Sequence, residues 1–547
     1  MQHLQNDIRI NQVGFLTNSQ KRFVVTNNTN NEISFTVFSV ENVDEIPVYT
    51  GNLSKIEEDG NIFYCGDFSR VEKEGDYFIG VGKLRSRQFI IYDDAYDMCK
   101  RILLSYFTYQ RCGHPLGWNG SCHKDDGYIK ETGEHVDLSG GYHQSCDLRK
   151  SPGGISIGLL SMIKAALKDK SEWGKILYKD EIRWACEYYL KTIQEDGSMY
   201  NTLNEPFGWE GRTFYKSPAP SSAQWNVTSF LSCAYIYLKD DDIDFAAKCL
   251  SAAMISFDYL VGEKRPKDLY KHPDKEPRGM DPDFFYDQCI IDSVSDISYQ
   301  IMAASDLYRA TQGSRFLNII KTKLPVLQEH IKSGFALTRD DSDKGRLVSA
   351  SCSYTWLMGG ILSFCDAYEL LGDINNLEND LVSCLDELCK YEDKSIWRCV
   401  QKLYSKDDLE VTDGFSTKKR KDSITDLTEY KNYFYSKKEI FEPSYSCYIG
   451  IFLSRMSKLL NNSKYANYAQ SIVDNLLGMN ILDSSHIYGV GYNHCQRRAY
   501  GQFFPSTPFI PGAVGTGYSS IDVYTSCSEY DMPCVGLAMY LLSEISS

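Results

Sequence analysis

The sequence predicts a mainly α-helical chain in two parts, a small all-β sandwich over residues 1–93 and an (α/α)6 barrel over residues 94–547. Three observations predict it. Apolar residues alternate with a period near two as far as Tyr92. From about Ala95 onward they recur at every third and fourth position, and stretches of that second kind, each long enough for a helix, occur twelve times.

In the first part the alternating runs are Ile8-Arg-Ile-Asn, Arg22-Phe-Val-Val, Ile33-Ser-Phe-Thr-Val-Phe, Ile62-Phe-Tyr-Cys, Tyr77-Phe-Ile-Gly-Val and Gln88-Phe-Ile-Ile-Tyr. Clusters of Asn, Gly and Asp separate them, as turns between strands require, and the total length suits one immunoglobulin-like module. The helical stretches begin near Ala95, Gly153, Lys179, Ser221, Ile243, Ser293, Ser314, Ala350, Ile374, Ser444, Lys464 and Tyr530. Twelve helices of similar length make six hairpins, the content of such a barrel. An α-solenoid would use the same hairpins without closing them, and no sequence repeat favours it. Between the helices lie unusually long segments, Gln110 to Gly153, Asn201 to Pro220, Lys264 to Asp287, Glu392 to Pro443 and Asn480 to Glu529. Long connections on a helical scaffold are where a site is normally built.

Composition removes several function classes. Of 547 residues, 58 are Lys or Arg and 73 are Asp or Glu, a formal net charge of −15, so no global basic field exists to hold nucleic acid or an anionic membrane. No window approaches a membrane span, and the start, Met1-Gln-His-Leu-Gln-Asn-Asp, has no basic then apolar leader. The 18 Cys sit mostly in apolar helical runs, which fits reduced buried thiols and a cytoplasmic protein; a trimmed secreted one would look the same. Aromatic residues make up 13% of the chain, flat surfaces of the kind that stack on sugar rings.

Two constellations carry chemistry. His114, His123, His135 and His143 fall within one short stretch beside Cys112 and Cys122. Two thiolates and two imidazoles make a closed tetrahedral zinc shell, and Cys112, Cys122, His123 and His143 are the expected ligands of a structural Zn2+. Free thiols and a solvent-facing histidine are the alternative. Next to this cluster, Asp147 closes the run Asp137-Leu-Ser-Gly-Gly-Tyr-His-Gln-Ser-Cys-Asp, and Glu529 stands just before the last helix. Glycoside hydrolysis needs such a pair, one acid for the leaving oxygen and one carboxylate for water or the anomeric carbon. With 73 acidic residues in the chain, ordinary cap or loop carboxylates are the first reading of these two by themselves.

Ile8-Arg-Ile-Asn-Gln-Val-Gly-Phe, Gln110-Arg-Cys-Gly, Cys122-His, Gly140-Gly-Tyr-His-Gln-Ser-Cys-Asp, Leu476-Leu-Gly-Met-Asn and Ser528-Glu-Tyr resemble, in order, the landmarks of family 9 glycoside hydrolases with an N-terminal immunoglobulin-like module. The resemblance implies an (α/α)6 barrel that cleaves β-1,4-linked glucans with inversion. It further implies a structural zinc on the four residues already named, Asp147 as general base and Glu529 as general acid. Gln144 stands where the family has a second Asp, and Ser528 where it has an Asn. A family His-His-Arg sugar-contact cluster is replaced by a loop that offers His494, Arg497, Arg498 and Gln502.

Among aromatics, Tyr142 and Trp209 are expected to contact sugar. The runs 271–283 and 339–345 could offer oxygen ligands to Ca2+, without an EF-hand spacing. The expected partner is a carbohydrate, with the module packed on the barrel in cis. The other readings are an exo-acting glucosaminidase-type member of the same family, a non-catalytic glycan-binding homologue, and a metal-dependent hydrolase, which four protein ligands disfavour.

Overall fold

The computed structural model describes residues 6–26, 33–41, 44–58, 60–118, 120–129, 131–145, 148–202, 214–216, 218–265, 291–332, 353–399, 406–410, 420–423, 427–430, 433–436, 443–494, 509–515 and 530–547. Ten strands precede the first helix: β1 (Ile8–Arg9), β2 (Gly14–Phe15), β3 (Arg22–Val25), β4 (Ser34–Glu41), β5 (Asp44–Asn52), β6 (Ser54–Glu58), β7 (Asn61–Asp67), β8 (Gly75–Val81), β9 (Leu84–Arg85) and β10 (Phe89–Ile91). They form two sheets, β1-β3-β7-β6 and β2-β10-β8-β4-β5, with β9 on β8. Alternate residues point inward, and Phe15, Phe23, Phe35, Phe68 and Phe89 meet edge-on between the sheets, with ring centres 4.9 Å apart for Phe23 and Phe35 and 5.3 Å for Phe15 and Phe68. Strands β5 and β6 have no counterpart among the expected runs, because β6 is mostly charged and β5 is largely exposed, even at its Ile46 and Val48.

The helices are α1 (Asp97–Gln110), α2 (Pro152–Lys168), α3 (Glu172–Thr192), α4 (Ser221–Leu238), α5 (Ile243–Val261), α6 (Val294–Thr311), α7 (Ser314–Lys332), α8 (Ser353–Leu371), α9 (Leu377–Glu392), the short α10 (Lys406–Glu410) and α11 (Arg420–Ser423), α12 (Pro443–Leu459), α13 (Ser463–Leu476) and α14 (Met532–Ile545). Small strands β11 (Tyr128–Ile129), β12 (Asn201–Thr202) and β13 (Phe214–Lys216) form a sheet in the order β11-β13-β12, and β14 (Leu427–Tyr430) pairs with β15 (Tyr433–Ser436). Helix α3 starts seven residues before its expected start at Lys179, because the Ser171 hydroxyl accepts from Gly174 N–H at 3.1 Å and caps it there.

Six helices form an inner ring, α2-α4-α6-α8-α12-α14, and α14 packs back on α2, so the ring closes and the solenoid arrangement is excluded. The outer helices cover it, and α1 pairs with α14, joining the two ends of the helical part. Burial follows this division. Described residues of α4, α6, α12 and α14 are buried almost all round, whereas α5 buries one stripe and α13 is buried all round only in its second half. Serine and threonine are tolerated in the inner ring because their hydroxyls donate to carbonyls one turn back, as in Thr228 to Gln224 O (2.9 Å) and Ser305 to Ile301 O (2.7 Å). Where the ring closes, α2 and α14 touch through glycine: a Cβ on Gly536 would lie 2.4 Å from the Gly158 carbonyl oxygen.

The connections are asymmetric. Each inner helix except α14, the last, passes to its outer partner through a short turn (169–171, 239–242, 312–313, 372–376 and 460–462), whereas the long segments 111–151, 193–220, 262–293, 333–352, 393–442 and 477–531 each lead into an inner helix. The inner helices therefore run the same way, and each of these segments joins one of them at its N-terminus in the sequence. At the opposite end five of the inner helices, all but α4, are tied by a closed circuit of ion pairs. Lys164 of α2 meets Asp306 of α6, Arg309 meets Asp366 of α8 (3.0 Å), Arg455 of α12 meets Asp366 (3.0 Å) and Glu369 (2.9 Å), and Lys458 and Lys168 both meet Glu544 of α14 (3.2 Å each). Despite burial, Arg455 and Arg309 hold the Asp366 carboxyl far below the usual carboxylate range.

The sandwich docks through its Asn11-Gln12 pair. Gln12 N–H donates to Leu477 O (2.8 Å), Gln12 Nε2 to Asp483 O (2.9 Å), and Gln12 Oε1 accepts from Asn493 N–H (3.0 Å). Asn11 Nδ2 donates to Asp474 of α13 (2.9 Å), and Arg9 pairs with the buried Asp483 (3.0 Å). A second contact packs Val24 and Cys65 on Ile396 and Phe63 on Trp397. Among the described residues no helix is long and apolar enough to cross a membrane.

Candidate functional site

The long 111–151 segment folds back on the end of α1. His143 N–H donates to Gln110 O (2.8 Å), Cys112 N–H donates to Gly141 O (2.9 Å), and Arg111 bridges Tyr142, so Cys112 and His143 are brought side by side by backbone pairing alone. Cys122 and His123 come in from the next bend, where Gly113 N–H donates to the Cys122 sulfur (3.4 Å). The result is a group of four ligand atoms, from Cys112, Cys122, His123 and His143, all within 4.8 Å of one another.

These residues fit a tetrahedral metal. The two sulfurs are 3.8 Å apart. That is far beyond a disulfide bond of about 2.05 Å. It matches the ~3.8 Å expected of two thiolates each 2.3 Å from a tetrahedral zinc. The Cys122 sulfur lies 3.3 Å from His143 Nε2. Hydrogen bonding from Cys112, and from both histidines, pulls the Cys122 thiol well below its ordinary range, while the bond to Cys122 and burial push Cys112 up. Burial lowers His143, keeping it the neutral imidazole that a metal requires. His114 and His135 stand apart, His114 edge-on to Trp184 and His135 beside Asp125 on the surface. A cleft of about 260 Å³ runs alongside the quartet, between Gly140, Gly141, Trp184 and Lys191.

Immediately after His143 the chain reaches the barrel mouth. Gln144 N–H donates to Arg149 O (2.8 Å), closing a turn, and Gln144 O accepts from Met532 N–H (3.1 Å), the first residue of α14. The Gln144 amide lies over the first turn of α2, so that a Cβ on Gly154 would fall 2.4 Å from its Cδ. Tyr106 joins the two segments: its hydroxyl donates to Gln144 O (3.4 Å) and its ring meets Tyr530 edge-on with centres 5.7 Å apart. Gln110 holds the same region, with Nε2 donating to Tyr106 OH (2.8 Å) and Ser145 O (3.3 Å) and Oε1 accepting from Trp118 Nε1 (2.9 Å). Thus the described neighbours of Asp147 and of Glu529 lie together at one mouth.

Residues 96–500 match the model of Glycosyl hydrolase family 9, and residues 3–86 match that of the cellulase N-terminal ig-like domain. The chain belongs to glycosyl hydrolase family 9. This family 9 chain is 26% identical over 343 residues to a cellodextrinase of Butyrivibrio fibrisolvens, covering 56% of the chain and 59% of that protein. It therefore spans less than two thirds of that relative's length. Its fold is similar to the crystal structure of a metagenome-derived glycoside hydrolase family 9 endoglucanase, with a TM-score of 0.70, 17% identity and 99% of each chain covered. It is also similar to a Zn-binding triple mutant of the family 9 endoglucanase J30, with a TM-score of 0.67, 18% identity and 97% and 99% covered.

Within the family 9 chain the expected residues fall into three groups. The four metal candidates come together. Gln144 and His494 lie in described segments, His494 in a bridge with Ser485 and 5.6 Å from the Phe509 ring. Asp147, Glu529, Trp209, Arg497, Arg498, Gln502 and both candidate calcium runs lie outside the described residues. Tyr142 is a correction. It is 0% exposed, and its hydroxyl donates to Glu181 Oε2 (2.8 Å) and Glu181 O (3.1 Å), so its ring belongs to the core and contacts no sugar. Reading the sequence missed Tyr106, Lys150 and Asp126, which carry no local motif.

Proposed function

We propose that this family 9 chain is an inverting glycoside hydrolase that acts on short, soluble β-1,4-linked glucose oligosaccharides. Glu529 protonates the glycosidic oxygen, and Asp147 takes the proton from the attacking water on the opposite face of the sugar ring. The carrying observation is the 3.1 Å bond between Gln144 O and Met532 N–H, which ties the turn next to Asp147 to the helix start next to Glu529. An inverting pair needs about 6.5–9.5 Å between its carboxyl groups to admit water, and two segments fixed to each other by backbone can hold such a gap. The cellodextrinase relative favours oligosaccharides over polymer.

The Cys112, Cys122, His123 and His143 quartet holds zinc in a structural role. With four protein ligands no position remains for water, so the ion secures the loop and takes no part in bond cleavage. His494, Arg497, Arg498, Gln502 and Trp209 are our candidates for sugar contact. We place the domain boundary between Asp93 and Asp94. The thiols buried in the barrel, such as Cys233, Cys365, Cys447 and Cys534, suit a reducing cytoplasm.

The test is a pair of substitutions. Asp147→Asn and Glu529→Gln should each lower turnover by roughly 10²–10⁴ or more while ligand binding stays within a few-fold. Near-normal hydrolysis by Asp147→Asn would remove the assignment.

A further inference from the structure

The least expected buried group near the site is Lys150. Its side chain and that of Asp126 are each 0% exposed and pair at 2.7 Å. Lys150 Nζ also donates to Leu138 O (2.9 Å) and lies 5.1 Å from the centre of the Tyr188 ring on α3. Tyr215 of β13 donates its hydroxyl to the same Asp126 oxygen (3.1 Å).

Asp126 and Leu138 are the base of a hairpin. Leu138 N–H donates to Asp126 O (2.9 Å), and Gly127 and Val136 exchange backbone bonds of 2.7 and 2.9 Å. One arm of this hairpin leaves Cys122 and His123, and the other leads to His143. A single ammonium therefore clamps both arms between the metal ligands. Its own backbone ends the turn closed by Gln144 N–H and Arg149 O. A buried pair of this kind seldom adds net stability over a well-packed apolar replacement, so its distinctive contribution is geometric.

We propose that Lys150 is a positioning residue that couples metal binding in the Cys/His loop to the backbone bond from Gln144 N–H to Arg149 O. The inference rests on the reading of Asp147 as base only for its effect on turnover; the structural coupling stands apart from it. The metal fixes the outer ends of the hairpin, Lys150 fixes its base, and the bond from Gln144 N–H to Arg149 O is held only when both are in place.

The experiment follows backbone hydrogen exchange in peptides covering 144–150 of the full chain, with zinc bound and after chelation. In the wild type, chelation should speed exchange there at least tenfold. The double variant Lys150→Met/Asp126→Asn leaves no unpaired buried charge. It should still bind one zinc, with the 144–150 segment exchanging fast in both states. On an oligosaccharide substrate its kcat should fall at least tenfold with KM within about twofold, a split that general destabilisation would not produce.

Wild-type protection at 144–150 that ignores chelation would overturn the proposal, as would a double variant that keeps metal-dependent protection. If the double variant does not fold, the wild-type comparison alone decides. A wild type that turns over no substrate, yet shows the exchange response, would count against the hydrolase reading and leave the coupling standing.

Discussion

Gln12 reaches out of the sandwich with its backbone N–H and both ends of its amide, and all three partners lie on the 477–493 segment that leads to His494. Gln12→Ala would leave Asp483 O and Asn493 N–H without those partners, so urea unfolding should show a loss of about 1–3 kcal/mol. Beside it, burial pushes the Asp474 carboxyl up to about 7 against the hydrogen bonds from Asn11 and Gln470 and the charges of Arg22 and Lys21. A folded-state value above the unfolded one means that the folded protein holds the proton more tightly. Stability attached to Asp474 is thus full below about pH 4 and is lost as pH rises towards 7, on the order of a few kcal/mol. Asp474→Asn should flatten that slope, which thermal melts between pH 5 and 8 would reveal. Gln144 gives a third expectation. Gln144→Asp would place a like charge near the proposed base and raise its pKa, so the acid limb of kcat/KM should move to higher pH. An unmoved limb would separate Gln144 from the base. The metal quartet was legible at this scale because its four ligands fall within one short stretch, and Tyr142 was misread because an aromatic in a Gly-rich loop gives no sign of a buried Glu181 waiting for its hydroxyl.

Helices were the easiest elements to read. Apolar positions three and four apart mark each one, and Ser171, Asp242, Ser293 and Asn462 cap their starts with side-chain oxygens. Which helices form the inner ring could not be read from composition, since outer α5 is as rich in Ser and Ala as inner α4 and α6. The ion-pair circuit at the barrel floor was not legible, because its members are scattered from Lys164 to Glu544 and only closure of the ring brings them together. Two outcomes test these elements. Gly536→Ala would drive a methyl into the Gly158 carbonyl and should cost about 1–3 kcal/mol or more, read as a lower melting temperature. Arg455→Met would leave the buried Asp366 carboxylate its Arg309 partner, so the cost should fall short of that of a fully stranded charge, about 3–5 kcal/mol. Because the Asp366 value is depressed in the fold, its contribution is present above the unfolded value near pH 4 and is lost as the solution is acidified below that.

Among the described residues the helical part is a barrel whose one end carries the ion-pair circuit and the short turns, and whose other end carries the N-termini of the inner helices. The sandwich does not sit apart from that mouth; through Asn11 and Gln12 it holds α13 and the 477–493 segment on the way to the last helix. The metal loop approaches from the other side, and the bond from Gln144 O to Met532 N–H joins the two. Described parts of landmarks from distant stretches of the sequence, Gln110, Gln144 and Tyr530, thereby meet around Tyr106. The most direct test of the account is proton NMR of the first products released from a soluble β-1,4-linked glucose oligosaccharide by the folded, zinc-loaded protein. The account predicts that α-configured reducing ends appear first and then mutarotate; β-configured products, or none at all, would contradict it.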